Sequence, residues 1–242
     1  MQDWLAPKYL LWLWQGFEVT VGLSLCAGVV ATFGGFVLAL IADSRWRAGR
    51  RAVDAYVITF RNTPLLVQLL FWYFGAATLL PDAATQWLNA VHEVHVVGFA
   101  LRWPSFEFVA GWVGLTSYTA AFVAEEFRAG IAGVAASQRQ AAFALGLTAR
   151  QTFRHVVLPQ AVRISLPPLF GQYMNLVKNS SLTMAIGLAE LSYASRQVET
   201  ETFKTFEAFG VATVLYVLAI AVIEAVSHAV AHARDRSVLA RR

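Results

Sequence analysis

Polar groups set inside long apolar runs are the residues of this 242-residue chain that could do chemistry. Lys178-Asn179-Ser180-Ser181 places an ammonium, an amide and two hydroxyls in succession. A carboxylate leaving water needs a compensating charge, and a cation followed by hydrogen-bonding side chains could hold the α-carboxylate of a small substrate. If the helix carrying it enters a membrane near Leu166, Lys178 lies roughly 18 Å along it at ~1.5 Å per residue. That is past the middle of a ~30 Å hydrocarbon core. Two other uses of Lys178 stand beside this one: an ion pair with a carboxylate such as Glu190 or Glu18, or snorkelling to the membrane surface. Arg61 precedes Thr63 and Pro64. Proline removes a backbone donor and frees a carbonyl, so Arg61 either lines a polar pathway or steadies a kink.

Other charged groups point to structure. Glu125 and Arg128, three apart, face one another on a helix as an ion pair, or transmit movement from the following loop. Glu224, His228 and His232 share a helical face at metal-ligand spacing, but cations near a helix C-terminus explain the histidines. His92-Glu93-Val94-His95 lacks the spacing of a zinc protease and reads as solvated surface. Neither a metal centre nor a catalytic residue is expected. Cys26, the single cysteine, sits in an apolar run and reads as packing, with no second cysteine for a disulfide.

The elements that must position these groups follow from composition. With 57% hydrophobic and only 14% charged residues, the chain is far too apolar for a soluble enzyme. Apolar runs at about 14–41, 55–80, 108–131, 166–190 and 207–228 are each long enough to cross a bilayer. Backbone groups inside hydrocarbon must bond to one another, which predicts an all-α membrane protein of about five transmembrane helices. The net charge of +4 does not imply nucleic acid, because the cations cluster between runs. Arg45, Arg47, Arg50, Arg51, Arg139, Arg150, Arg154, Arg163, Arg234, Arg236, Arg241 and Arg242 fall in alternate connections; Lys8, Arg102, Arg196 and Lys204 fall in the others. That asymmetry places the N-terminus outside and the C-terminus in the cytoplasm. The early cation Lys8 stands alone, without the charged start of a cleavable signal, so the first run is expected to stay. The outer segment 81–106, with Trp87, Trp103 and Pro104, reads as an interfacial loop. No internal repeat is visible, and residues 1–242 read as one transmembrane domain.

Between the third and fourth runs lies Ser137-Gln138-Arg139-Gln140-Ala141-Ala142-Phe143-Ala144-Leu145-Gly146-Leu147-Thr148, continuing to Val157-Leu158-Pro159-Gln160. Propensity predicts a helix over 136–145, a left-handed Gly146 after it, and Thr148 capping a second short helix that ends before Pro159. Ala141, Ala142 and Ala144 leave a slim face that fits a partner's groove, and Leu145, Leu147 and Phe153 offer apolar anchors. An amphipathic connector without a partner shows the same pattern.

This stretch resembles the EAA loop of ABC importer permeases through Gln140-Ala141-Ala142, Gly146 and Leu158-Pro159. Gln140 stands where that family usually has Glu, which keeps the length but removes the charge of a salt bridge. Phe60-Arg61-Asn62-Thr63-Pro64-Leu65-Leu66-Val67-Gln68 and Leu176-Val177-Lys178-Asn179-Ser180-Ser181-Leu182 resemble motifs of the polar amino-acid branch, most of all the glutamate/aspartate importers. The resemblance implies a multi-pass permease of the bacterial inner membrane, in contact with lipid, moving polar amino acids into the cytoplasm. It implies a second permease, two cytoplasmic ATPase subunits that bind ATP and Mg, and an external substrate-binding protein. By the same resemblance, Gln140, Ala141, Ala142, Gly146, Leu158 and Pro159 couple to the ATPase. Arg61, Thr63, Gln68, Lys178, Asn179, Ser180 and Ser181 are the substrate-pathway candidates. No phosphate-binding Gly-x-x-x-x-Gly-Lys-Ser/Thr occurs, so this chain is expected to bind no cofactor and to leave hydrolysis to a partner. The competing readings are a secondary transporter of a small polar solute, or the same importer class carrying glutamine or basic amino acids.

Overall fold

The computed structural model describes residues 4–90, 93–96, 99–102 and 105–239; His92, Trp103, Pro104, Arg241 and Arg242 lie outside the described residues. Helix α1 (Pro7–Asp43) opens on a proline, whose fixed φ suits the first helical position and whose missing N–H has no partner there anyway. It stops where the backbone N–H and the hydroxyl of Ser44 both donate to the Ile41 carbonyl, at 3.1 and 2.7 Å. Helix α2 (Arg47–Asn62) and the short α3 (Leu65–Leu70) follow, then a π turn at Phe71–Gly75 and a 3₁₀ turn at Ala76–Leu79. Helix α4 (Asp82–Asn89) leads to an antiparallel hairpin, β1 (Glu93–Val96) with β2 (Phe99–Arg102), in which Glu93 pairs with Arg102 and Val96 with Phe99. Helices α5 (Phe106–Ala132), α6 (Ala136–Ala144) and α7 (Ala149–Thr152) precede a second π turn, Phe153–Val157. The chain then forms α8 (Leu158–Ser180), a 3₁₀ turn at Ser181–Ile186, α9 (Leu191–Thr202) and α10 (Thr205–Leu239).

Among the described residues, α1 and the 205–233 part of α10 have both the length and the apolarity to cross a bilayer. Helices α5 and α8, with 27 and 23 residues, are also long enough, since a ~30 Å core needs about 20 residues.

Several boundaries differ from the sequence expectation. The fold is helical but carries one small sheet, the hairpin, inside the segment expected to be a loop. The expected second span, 55–80, is broken: α2 stops at Asn62, and Pro64 serves as the N-cap of α3. A residue before proline is pushed away from helical geometry, and the Thr63 carbonyl accepts from Gln68 Nε2 at 3.0 Å. The expected fourth span, 166–190, starts early at Leu158 and stops early at Ser180. Hydroxyls end it. Ser180 Oγ donates to the Val177 carbonyl at 2.8 Å, Ser181 Oγ to Lys178 at 2.7 Å and Thr183 Oγ to Ser180 at 2.7 Å. These bonds satisfy carbonyls that a continuing helix would use. Nor does the short helix after Thr148 end before Pro159. It runs through the π turn into α8, and the widened turn relieves the crowding between a proline ring and the carbonyl one turn back.

Packing falls into two compact units. The first comprises Met1–Gly28, Thr63–Ser117 and Leu176–Ala219. Its core joins Leu13 of α1, Leu191 and Val198 of α9, and Ala208 and Ala212 of α10, flanked by Trp12, Phe17 and Tyr216. The second comprises Val29–Asn62, Tyr118–Asn175 and Ile220–Arg242. There Val53 and Val57 of α2 pack with Ala124 of α5 and with Leu38 and Ile41 of α1. Ala39, Val123, Phe127 and Leu169 join α1, α5 and α8.

Candidate functional site

The segment expected to couple is built by local rules. Leu145 caps α6, and Gly146 takes φ +79°, a left-handed conformation that costs a side-chain-bearing residue but not glycine. The Gly146 N–H donates to Phe143 at 2.9 Å and the Leu147 N–H to Ala142 at 3.1 Å, the paired bonds of a Schellman stop. Thr148 then caps α7: its hydroxyl accepts from the Gln151 N–H at 3.3 Å, while the Gln151 side chain accepts from the Thr148 N–H at 2.9 Å. This reciprocal box fixes the exit of the turn as the glycine fixes its entry. Arg139 donates to the Ile131 carbonyl at 3.1 Å, in the last turn of α5, where a cation suits the helix dipole. Ile131, Val134, Val157 and Ala161, with Phe153 against them, form the apolar joint between the end of α5 and the start of α8.

The segment's outward face differs from the expected one. Ala142 is buried at 3% exposure, so it belongs to the chain's own packing and not to a groove-entering surface. Phe153 likewise packs inward. What projects is Gln140, Ala141, Phe143, Ala144 and Leu145, with Leu145 82% exposed. Pro159 is exposed and Leu158 half-buried.

In the first unit, the Pro64–Gln68 and Ser181–Ile186 stretches, more than a hundred residues apart in sequence, come together because α3 packs on the 3₁₀ turn. Two glycines let α5 lie close against both stretches. A Cβ at Gly111 would lie 3.1 Å from Thr183 Cγ2, and one at Gly114 would lie 2.8 Å from Leu69 Cδ2. Gln68 is buried and holds the Thr63 carbonyl, while Ser180 is fully buried with its hydroxyl committed to Val177. Lys178, in the last turn of α8, is exposed and Asn179 half-buried. Neither carboxylate considered for Lys178 pairs with it. Glu18 accepts from Trp14 Nε1 at 2.7 Å. Glu190, fully buried, caps α9 by accepting from the Tyr193 N–H at 2.9 Å, and also accepts from Tyr216 Oη at 2.7 Å and Thr20 Oγ1 at 3.3 Å. Thr20 in turn accepts from the Leu191 N–H at 3.1 Å. Glu190 thus ties α1, α9 and α10 together. Its signal in the sequence was an acid directly before a helix-forming stretch, an N-cap position.

In the second unit Arg61, in the last turn of α2, donates to Glu125 at 3.2 Å and lies over the Phe122 ring at 5.1 Å. Glu125 also accepts from Arg128 at 2.9 Å, the expected (i, i+3) pair, and Arg128 reaches Asp54 at 3.1 Å. Arg61 therefore stands in a four-membered charge network joining α2 to α5. Near the chain's end His228 pairs with Glu224 at 3.0 Å, and His232 Nδ1 lies 2.8 Å from the His228 carbonyl.

A family profile described as "Binding-protein-dependent transport system inner membrane component" matches residues 35–239, a range that includes α6, α7, Arg61 and Lys178. The "Glutamate/aspartate import permease protein GltJ" of Escherichia coli (strain K12) is 35% identical over 212 residues, 87% of this chain and 82% of that protein. The "Probable glutamine ABC transporter permease protein GlnM" of Bacillus subtilis (strain 168) is 36% identical over 199 residues, covering 81% and 82%. Among solved structures, one described as "Crystal structure of an amino acid ABC transporter with histidines" superposes with a TM-score of 0.77 at 28% identity, covering 91% of this chain and 93% of that one.

Proposed function

We propose a transport function on one premise: the chain belongs to the family of binding-protein-dependent transport system inner membrane components. It acts as the permease subunit of an ATP-driven importer of polar amino acids, with glutamate and aspartate as preferred substrates. The observation that carries this reading is the coupling segment, a turn locked by a Schellman stop and a capping box that displays Phe143, Ala144 and Leu145 outward. A surface so fixed in shape and so apolar suits docking by an ATPase, which binds ATP and Mg in its own chain. Two such ATPases, a second permease and an external binding protein complete the assembly. The permease crosses the bacterial inner membrane about five times, with its N-terminus outside and the coupling segment in the cytoplasm, as the clustering of cations favours.

Substrate passes Lys178 and Asn179 at the end of α8. An exposed ammonium without an ion pair among the described residues favours an anionic substrate. The name of GltJ supports glutamate and aspartate, and that of GlnM supports glutamine as the second reading. ATP hydrolysis by the permease with its ATPase, measured with binding protein loaded with glutamate, aspartate or glutamine, tests the choice. Stimulation by the acidic pair above glutamine is expected; the reverse order replaces this substrate assignment with the second reading.

A further inference from the structure

Helix α2 opens a basic cleft that the transport reading leaves unused. Arg47, Arg50, Arg51 and Arg128, with Asp54 and Ala42, line a cavity of about 280 Å³. Arg128 is engaged with Asp54 and Glu125, but no carboxylate among the described residues pairs with Arg47, Arg50 or Arg51, all three of which are exposed. Three uncompensated guanidinium groups around one concavity, with Asp54 the single acid among its lining residues, make a strongly positive site. The frame beneath them is fixed. Val53 and Val57 of α2 are buried against α1 and α5, and the Arg128–Asp54 bridge pins the helix beside the cleft.

The surroundings indicate where the anion comes from. Trp46 packs its indole onto Gly49, where a Cβ would overlap the ring, yet the residue stays 63% exposed. Further along, the same helix exposes Ala55 and Ile58. An indole and an apolar flank beside guanidinium groups match a membrane interface, where rings sit at headgroup depth and cations meet phosphates. We infer that this cleft binds the phosphate of an anionic phospholipid, with Arg47, Arg50 and Arg51 as donors and with the lipid's apolar part against Trp46 and Ile58. Soluble phosphate esters share the headgroup chemistry but leave those apolar residues uncovered.

Native mass spectrometry of the full chain in detergent, titrated with phosphatidylglycerol, phosphatidylcholine of the same acyl chains, or glycerol 3-phosphate, tests the site. Phosphatidylglycerol is expected to bind selectively and to resist displacement by glycerol 3-phosphate. Arg50→Gln with Arg51→Gln should weaken it roughly 30-fold, from about one interfacial increment per cation removed. Arg154→Gln with Arg163→Gln, an equal loss of charge on exposed positions outside the cleft, should change it by less than about twofold. Should the first pair fail to fold, as judged by circular dichroism, Arg47→Gln alone carries the comparison with roughly fivefold weakening. Equal binding of phosphatidylcholine, displacement by glycerol 3-phosphate, or an equal loss in the control pair would overturn the proposal. The readout requires no transport, so its failure leaves the importer reading untouched.

Discussion

In the proposed coupling segment, Leu145 is the residue at which docking can be tested apart from folding. It is 82% exposed at the cap of α6, so Leu145→Ala removes almost nothing from the chain's own packing. Stability should change by no more than about 0.5 kcal/mol. Fully burying a leucine side chain against a partner is worth about 1.5–3 kcal/mol. Scaled to the exposed four-fifths, the loss is about 1.2–2.4 kcal/mol, or roughly 7- to 50-fold in ATPase affinity. Two neighbours behave differently for structural reasons. Ala142 is buried, so Ala142→Glu should lower the melting temperature before any docking effect is seen. At Gly146 an added Cβ meets nothing within 4 Å, so Gly146→Val pays only the left-handed backbone cost, about 1–2 kcal/mol. The assay is equilibrium binding of the purified ATPase to detergent-solubilised permease, with thermal unfolding of each variant alongside. Unchanged ATPase affinity in a folded Leu145→Ala variant would refute the docking surface.

Other outcomes follow from the same geometry. Lys178→Met should assemble with the ATPase yet lose substrate-dependent uptake, and Lys178→Arg should keep part of it; normal uptake by the Met variant removes Lys178 as a required contact. Glu190→Ala strips the cap from α9 and removes the buried acceptor to which the Tyr216 and Thr20 hydroxyls donate, so unfolding in detergent should show a loss of about 2–4 kcal/mol, with Glu190→Gln losing less. Ala83 and Ser137 are both exposed, so after replacement of the exposed Cys26, Ala83→Cys should react with an impermeant thiol reagent on intact cells and Ser137→Cys should not. The opposite pattern inverts the topology.

What was legible in the sequence was what local chemistry decides. Gly146 and Thr148 announce their roles because a left-handed stop and a capping box depend on residues no more than five apart. Glu125 and Arg128 pair because helical spacing alone brings them together. The break at Thr63–Pro64 reads from sequence as a kink within one span. The rule for residues before proline pointed to it, but the apolar run on the far side masked it. The early end of α8 was hidden in the same way, since Leu182, Met184 and Ile186 keep hydropathy high while Ser180, Ser181 and Thr183 redirect the carbonyls. Burial of Ala142 beside exposed Ala141 depends on tertiary packing, which periodicity in a nine-residue helix cannot assign. The Asp54–Arg128 bridge spans 74 residues, and nothing local marks either partner for the other.

The claim that this chain is the permease of an ATP-driven importer is tested most directly by uptake of radiolabelled glutamate into proteoliposomes. The vesicles would contain the chain with its partner permease and ATPase, with the binding protein supplied on the opposite face. Accumulation that requires ATP, the ATPase and the binding protein together, and that stops with a non-hydrolysable ATP analogue, is the predicted result. Accumulation by the chain alone, driven by an ion gradient without ATP, would contradict it and establish a secondary transporter.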